Sequence, residues 1–211
     1  MHENIFDNLK NIFEIHSNFF TGKKVNLDKF SKVVKVACQK YLYCLSNKNI
    51  KHFPNSILEH ADEYTSFLVF LANTAYDYEC LEIAKAAYLI NRRMNSFDCF
   101  YDRKIPEIFH LEHPIGSIIG KASLKNYLVI YQGVTIGGDL KLKYPILEES
   151  VALFPNSSVI SNAKLGYNSA VGTGVTLYGR TLKNNTAISL RNNQETITKM
   201  TWQIKERFFK I

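Results

Sequence analysis

The sequence predicts an α+β protein in which a helical N-terminal domain is followed by a parallel β-helix of hexapeptide repeats. Up to about residue 95, apolar residues recur at intervals of three and four, which is typical of amphipathic helices. From Ile118 onward they recur at intervals of six, which is the repeat length of a hexapeptide β-helix. We therefore expect a helical domain at 1–96, a linker at 97–112, the β-helix at 113–190 and a C-terminal tail at 191–211.

Four or five packed helices are expected in the first domain. Clear apolar stripes run from Phe6 to Phe13 and from Phe30 to Tyr41. The candidate N-terminal caps are Asn26 or Asp28 for the second helix, Asn55 or Asp62 for the third, and Asp77 for the fourth. Pro106 lies in the segment after the last helix, and because proline interrupts helical hydrogen bonding, this segment is predicted to be a linker.

The six-residue spacing continues through ten apolar residues in two phased runs. These are Ile118, Leu124, Ile130 and Ile136, then Leu147, Leu153, Val159, Leu165, Val171 and Leu177. All but Ile136 are followed four residues later by a second small or apolar residue. Each unit should supply one short strand and one turn, with the apolar residue inside the coil. Residues 137–146 break the frame, which predicts a loop leaving the coil, and such loops often carry binding residues.

Composition excludes several classes of protein. Of the 211 residues, 46% are hydrophobic and 21% charged, so wholesale disorder is excluded. The net charge of +7 suits an anionic ligand, and no basic stretch with interleaved aromatics favours nucleic acid. Four cysteines without CxxC spacing indicate reduced thiols rather than a zinc or disulfide framework. No apolar stretch approaches the length of a membrane span and no secretory signal is evident, so a cytoplasmic location is expected.

The repeat region resembles the serine acetyltransferases and related hexapeptide acyltransferases. The resemblance lies in His113-Pro114, in the run YQGVTIGG from Tyr131 to Gly138, and in Tyr144-Pro145 at the end of the loop. It implies that the β-helix is left-handed, that acetyl-CoA is the acyl donor, and that the protein forms a homotrimer or a dimer of trimers.

The sequence departs from these enzymes at three places. They carry an aspartate two residues before the His-Pro pair, where this chain has Leu111, and a loop histidine where this chain has Tyr144. Their catalytic histidine lies in a Leu-Asp-His segment between the His-Pro pair and the QGVT run, and that coil is expected to be absent here. The chain therefore looks closer to shortened relatives from surface-polysaccharide gene clusters, whose acceptors are often sugars.

Acyl transfer needs a base that takes the proton of the acceptor, and imidazole is the usual provider. The candidate base is His113, with His110 as a weaker alternative; His113 could instead merely cap the first coil. Glu112 or Glu107 could orient the ring and stabilise the imidazolium. Because neighbouring side chains of a strand point to opposite faces, Glu107 or a carboxylate of another subunit rivals Glu112.

Further candidate residues concern the two substrates. The turns that bind the donor in the resembling enzymes have equivalents here in the repeats that contain Ser157, Gly172 and Gly174. The phosphates of the donor could be bound by basic residues, with Lys183 as the candidate beside Lys164, Arg180 and Arg191. Alternatively, the glycines serve only the coil and the basic residues are only solvated. In the loop, Asp139, Lys143 and Tyr144 would lie over the acceptor. No metal site is expected.

Together these features predict an acetyl-CoA-dependent O- or N-acetyltransferase that acts on a sugar or nucleotide sugar. Two alternatives remain open at this point. The first is a catalytically inactive β-helix that serves as a scaffold or assembly subunit, and the second is a serine O-acetyltransferase.

Overall fold

The computed structural model describes residues 2–22, 27–49 and 59–210. Its N-terminal half consists of four helices: α1 (His2–Thr21), α2 (Leu27–Ser46), α3 (Ala61–Asp77) and α4 (Leu81–Met94). Helix α3 packs between α2 and α4, and α1 packs on α4. Most of α3 is buried because its side chains face helices on both sides. Within the described ranges, no helix combines the length and apolarity needed to cross a membrane.

None of the predicted caps within the described residues matches a helix start. Helix α3 has His60 at its N-cap without a side-chain hydrogen bond, and Asp62 lies in its first turn. Cys80 precedes α4, so Asp77 ends α3 instead of starting the next helix. Asp28 lies inside α2, while Asn26 and Asn55 lie outside the described residues.

Fifteen short strands follow in the described chain. They are β1 (Asp98–Cys99), β2 (Phe109–Leu111), β3 (Ile118–Ile119), β4 (Ser123–Leu124), β5 (Leu128–Ile130), β6 (Thr135–Gly137), β7 (Ile146–Leu147), β8 (Val151–Leu153), β9 (Ser158–Ile160), β10 (Lys164–Leu165), β11 (Ser169–Val171), β12 (Thr176–Tyr178), β13 (Thr181–Leu182), β14 (Thr186–Arg191) and β15 (Gln194–Lys199). They form three sheets, and all neighbouring strands are parallel except β14 and β15.

The three sheets are the faces of a triangular coil. The first face is β1-β3-β6-β9-β12, the second is β4-β7-β10-β13, and the third is β2-β5-β8-β11-β14-β15. One coil advances 18 residues from Ser158 to Thr176 but 23 from Thr135 to Ser158. The larger step accommodates the loop that the broken frame predicted.

The interior of the coil is lined as the six-residue spacing predicted, with one exception. Eight of the ten residues are buried and Leu124 is half-buried. Ile118 is 48% exposed, and its neighbour Ile119 takes the interior place beside Ile136. A shift of one residue along a strand exchanges the two faces, so the prediction for Ile118 was wrong.

Residues 97–112, expected to be a linker, form the first coil. Strand β1 pairs with β3, and β2 pairs with β5 in the register Phe109–Leu128, His110–Val129 and Leu111–Ile130. Pro106 lies between these two strands, where the lack of an N–H costs no strand pairing. The β-helix therefore begins directly after α4.

The expected tail is also ordered. Asn192 and Asn193 both have left-handed φ values, of 50° and 60°, as a two-residue hairpin turn between β14 and β15 requires. Residues 200–209, here called the C-terminal cover, include the short helix α5 (Ile204–Phe208) and pack on the outer surface of the third face. Phe209 then pairs with Lys48, which returns the chain to the end of α2.

Candidate active site

One edge of the triangular coil carries the candidate base. This histidine edge comprises residues 112–117, 131–134, 154–157 and 172–175, which connect the third face to the first. Gly116, Gly133, Asn156 and Gly174 have left-handed φ values along it. At Gly133, with a φ of 66°, a Cβ would lie 2.1 Å from the Asn156 side chain, so a larger residue would be strained there.

His113 projects from this edge with 73% of its side chain exposed. Asp62, from the first turn of α3, accepts a hydrogen bond of 2.9 Å from the backbone N–H of His113, and the same oxygen lies 3.4 Å from the ring Nδ1. Asp62 is thus the carboxylate that faces Nδ1, although the sequence suggested it only as a helix cap. The two residues are 51 positions apart, and no sequence pattern connects them.

Glu112 lies beside both histidines of this segment. Its Oε1 is 3.7 Å from Nε2 of His113, and its Oε2 is 2.6 Å from Nε2 of His110. Glu112 does not point away from His113 as it would in an extended strand, because β2 ends at Leu111 and His113 has a left-handed φ of 48°. The chain turns there, and the two side chains come to the same side.

The other two candidates of this segment are not placed for proton transfer. Glu107 precedes β2, where its N–H bonds Asn126, whereas His113 follows β2. An extended strand rises about 3.3 Å per residue, which separates them by well over 10 Å. The His110 side chain is only 2% exposed, so an acceptor molecule does not reach it.

The candidate donor residues divide between edges. Gly172 and Gly174 lie on the histidine edge, and a Cβ at Gly172 would lie 2.9 Å from the Ile188 oxygen of the next coil. Ser157 lies on the same edge, but its side chain is buried in the coil. Lys183 follows β13 and lies on the edge between the second and third faces. Arg180 forms an ion pair with Glu195 instead of remaining free.

The loop leaves the coil between β6 and β7, on the edge between the first and second faces. Asp139 organises it, since its carboxylate accepts the N–H groups of Lys141 and Lys143 and the hydroxyl of Ser161 at 2.8 to 3.0 Å. These hydrogen bonds lower the pKa of Asp139, and the bond from the Lys143 N–H contributes most. The carboxylate is therefore already engaged within the loop.

Tyr144 and Lys143 have different surroundings in this loop. The Tyr144 ring lies 4.7 Å from Nζ of Lys121 and packs against Gly138, while Lys143 is exposed. Within one chain, the loop and His113 lie at opposite sides of the first face. The structure thus places His113, Gly172 and Gly174 on one edge, three coils apart from first to last, and the loop residues on another edge.

The described residues contain neither a reactive cysteine nor a metal-binding cluster. All four cysteines are unpaired, and burial raises the pKa of Cys38 and of Cys99 to about 12. No group of three or more His, Cys, Asp or Glu side chains in the described ranges is arranged to hold a metal ion.

The three parallel sheets match the left-handed β-helix fold of solved acetyltransferases. No protein-family model matches the chain. The chain is similar to the serine acetyltransferase of Bacillus licheniformis, with 27% identity over 108 residues that cover 49% of this chain and 50% of that protein. It spans about half the length of the curated relatives it matches.

Two solved structures extend the likeness over both halves of the chain. Serine acetyltransferase from Neisseria gonorrhoeae in complex with serine has a TM-score of 0.68 and 14% identity, covering 87% of this chain and 82% of that one. The enzyme from Brucella abortus in complex with coenzyme A has a TM-score of 0.63 and 18% identity, covering 83% and 70%. The resemblance to serine acetyltransferases, predicted from the sequence, is confirmed.

Proposed function

We propose that this protein transfers the acetyl group of acetyl-CoA to the hydroxyl of serine, with His113 as the general base. The observation that carries this proposal is the placement of an exposed imidazole between two carboxylates, Asp62 at Nδ1 and Glu112 near Nε2, on the edge that also holds Gly172 and Gly174. A base held in one orientation at a narrow edge suits attack by a hydroxyl on a bound thioester.

Each side chain then has a defined role. Asp62, with Oδ2 3.4 Å from Nδ1, favours the tautomer that carries its proton on Nδ1, which leaves the Nε2 lone pair free to take the hydroxyl proton. The acceptor oxygen attacks the acetyl carbonyl carbon, the carbon–sulfur bond breaks, and the proton passes from His113 to the departing thiolate. Glu112 stabilises the imidazolium while it exists and would also attract the ammonium group of an amino acid.

The register of the first coil supports this role for His113. The resembling enzymes carry their catalytic histidine in a Leu-Asp-His segment in a coil before the QGVT run. In this chain β2 pairs with β5, so Leu111-Glu112-His113 lies in the coil directly before Tyr131. The two segments differ only in their acidic residue, which is aspartate in those enzymes and Glu112 here. On this assignment the catalytic coil is present in the chain as its first coil.

Serine is the acceptor that the comparisons favour over the sugar predicted from the sequence. The curated relatives are named serine acetyltransferases, and the Neisseria gonorrhoeae structure is a complex with serine. One objection from the sequence was the missing aspartate at Leu111. Leu111 is buried inside the coil, and Asp62 places a carboxylate at His113 from the helical domain.

The edges of the coil also suggest where acetyl-CoA binds and how the subunits assemble. Acetyl-CoA would run along the histidine edge, where Gly172 and Gly174 leave room for its pantetheine chain. The loop, with Lys143 and Tyr144, and the distant Lys183 would join this site only from a neighbouring copy, which favours a trimer with shared sites. Light scattering that gave only a monomer at micromolar concentration would exclude shared sites.

The decisive experiment incubates the protein with acetyl-CoA and serine and measures released CoA with a thiol reagent, with sugars and nucleotide sugars in parallel. His113→Ala should lower the rate on the order of 10²- to 10⁴-fold without changing CoA affinity or melting temperature. Ile197→Ala, at an exposed position of β15 away from this edge, is the matched control. Full activity of His113→Ala would refute the proposed base. Absence of transfer to every acceptor would favour the inactive scaffold.

A further inference from the structure

His110 is an unusual residue for its position. It is the middle residue of β2, in register with Val129, so its side chain stands on the outer surface of the third face. The C-terminal cover buries it there, with the Phe208 ring centroid 6.1 Å from that of the imidazole and the planes inclined by 28°. The neighbours on this surface are apolar, among them Val129, Ala152 and Ala170. A buried imidazole on such a surface requires a polar partner.

That partner is Glu112. The distance of 2.6 Å between Nε2 of His110 and Oε2 of Glu112 is a short hydrogen bond. A carboxylate only accepts hydrogen bonds, so Nε2 of His110 donates. The Nδ1 atom is buried and has no hydrogen-bond partner among the described residues. A neutral ring with its proton on Nε2 satisfies both observations, because Nδ1 then carries no proton that needs an acceptor.

The carboxylate of Glu112 therefore connects two rings. One oxygen is held by His110, and the other lies 3.7 Å from Nε2 of His113, the atom that takes the proton in the proposed reaction. Glu112 is about one-third exposed, so without a fixed partner its side chain would sample several rotamers. The cover packs on His110, and His110 donates a hydrogen bond to Glu112.

We infer that His110 is a positioning residue, which holds Glu112 against the acceptor side of His113 and is itself held by the C-terminal cover through Phe208. This inference rests on the proposed function, in which His113 is the base. His110 does not touch the substrates. Its effect should therefore appear in the use of the acceptor and not in the binding of the donor.

The test compares three variants in steady-state kinetics with serine and acetyl-CoA. His110→Met removes the donor to Glu112, and kcat/KM for serine should fall about 10- to 100-fold, which is the effect expected for one hydrogen bond to a charged group. His110→Gln retains an amide N–H near the place of Nε2 and should keep most of the activity. Val129→Ala, a neighbour under the same cover without a polar group, should keep wild-type kcat/KM.

Acetyl-CoA affinity and melting temperature separate positioning from folding. Under the inference, CoA binding by calorimetry stays within about two-fold in all variants that fold. If His110→Met does not fold, Phe208→Ala serves instead and should lower kcat/KM for serine in the same way. Wild-type kcat/KM for serine in the folded variant, or equal losses in the Gln and Met variants, would overturn the inference.

The parallel variant His113→Ala distinguishes the two proposals. If His113→Ala is inactive while His110→Met is fully active, His113 is retained as the general base and only the positioning role of His110 is refuted. If His113→Ala retains its activity, or if the wild-type protein releases no CoA with serine, the proposed function fails and the positioning role fails with it.

Discussion

Replacing Lys48 with methionine should destabilise the protein strongly. The Lys48 ammonium donates to both oxygens of Glu63 at 2.9 and 3.0 Å, and Tyr41 donates to one of them at 3.1 Å. The side chains of the pair are 0% and 2% exposed. At an effective dielectric constant of 20 the attraction across 2.9 Å is about 6 kcal/mol. Lys48→Met removes this attraction from a buried carboxylate, which costs about 3 to 5 kcal/mol.

A surface pair provides the matched control. Lys40 and Asp77 lie 3.8 Å apart, with side chains 45% and 65% exposed, so Lys40→Met should cost less than about 1 kcal/mol. Urea titration measures the free energy of unfolding of each variant. The double variant Lys48→Met/Glu63→Met should regain most of the loss, because the carboxylate is removed together with the ammonium. A change below about 1 kcal/mol in Lys48→Met, or a double variant no more stable than the single one, would refute the reasoning.

Three further predictions concern the site and its loop. Asp62→Ala should lower kcat on the order of 10²-fold with the KM for acetyl-CoA unchanged, since the ring of the base loses its orienting carboxylate; unchanged kcat in steady-state assays would count against that role. Shortening 137–146 to restore the six-residue frame should reduce acceptor turnover but not CoA binding; calorimetry showing lost CoA binding at an unchanged melting temperature would instead assign the loop to the donor. Asp139→Ala should speed tryptic cleavage after Lys141 and Lys143, and a wild-type cleavage rate would show that the loop is ordered otherwise. Because hydrogen bonds lower the pKa of Asp139, acid should loosen the wild-type loop only as the pH falls through that lowered value.

The β-helix could be predicted because its pattern is local. Each short strand repeats the same interior position after six residues, so a run of apolar residues reveals the coil without knowledge of distant contacts. The first coil follows the same rule, with Cys99, Ile105 and Leu111 six residues apart and on the interior side. It was overlooked because the turn at His113 lengthens the next step, to Ile119, to eight residues.

The candidate site was only partly predictable for the opposite reason. His113 and Glu112 were found because they are adjacent to the repeat and to a familiar sequence pair. Asp62 comes from the helical domain, and only the packing of α3 beside β2 brings it to His113. The support of His110 by Phe208 joins residues nearly 100 positions apart. Contacts between residues so far apart produce no repeating pattern in a single sequence, so they cannot be predicted from it.

Because the C-terminus pairs with the end of α2, the coils can form during synthesis before that pairing is complete. The backbone N–H of Asn49 donates to the Phe208 oxygen, and that of Lys210 donates to the Asn47 oxygen. Each coil can pair as soon as the next 17 to 23 residues have left the ribosome, as the registers of β3 with β6 and of β6 with β9 require. The end of α2 must wait for residue 210, which at 5 to 20 residues per second takes roughly 8 to 30 s. From their own synthesis until the cover packs, Val129, Ala152 and Ala170 form an uncovered apolar strip, and a nascent chain needs protection there from association with other chains.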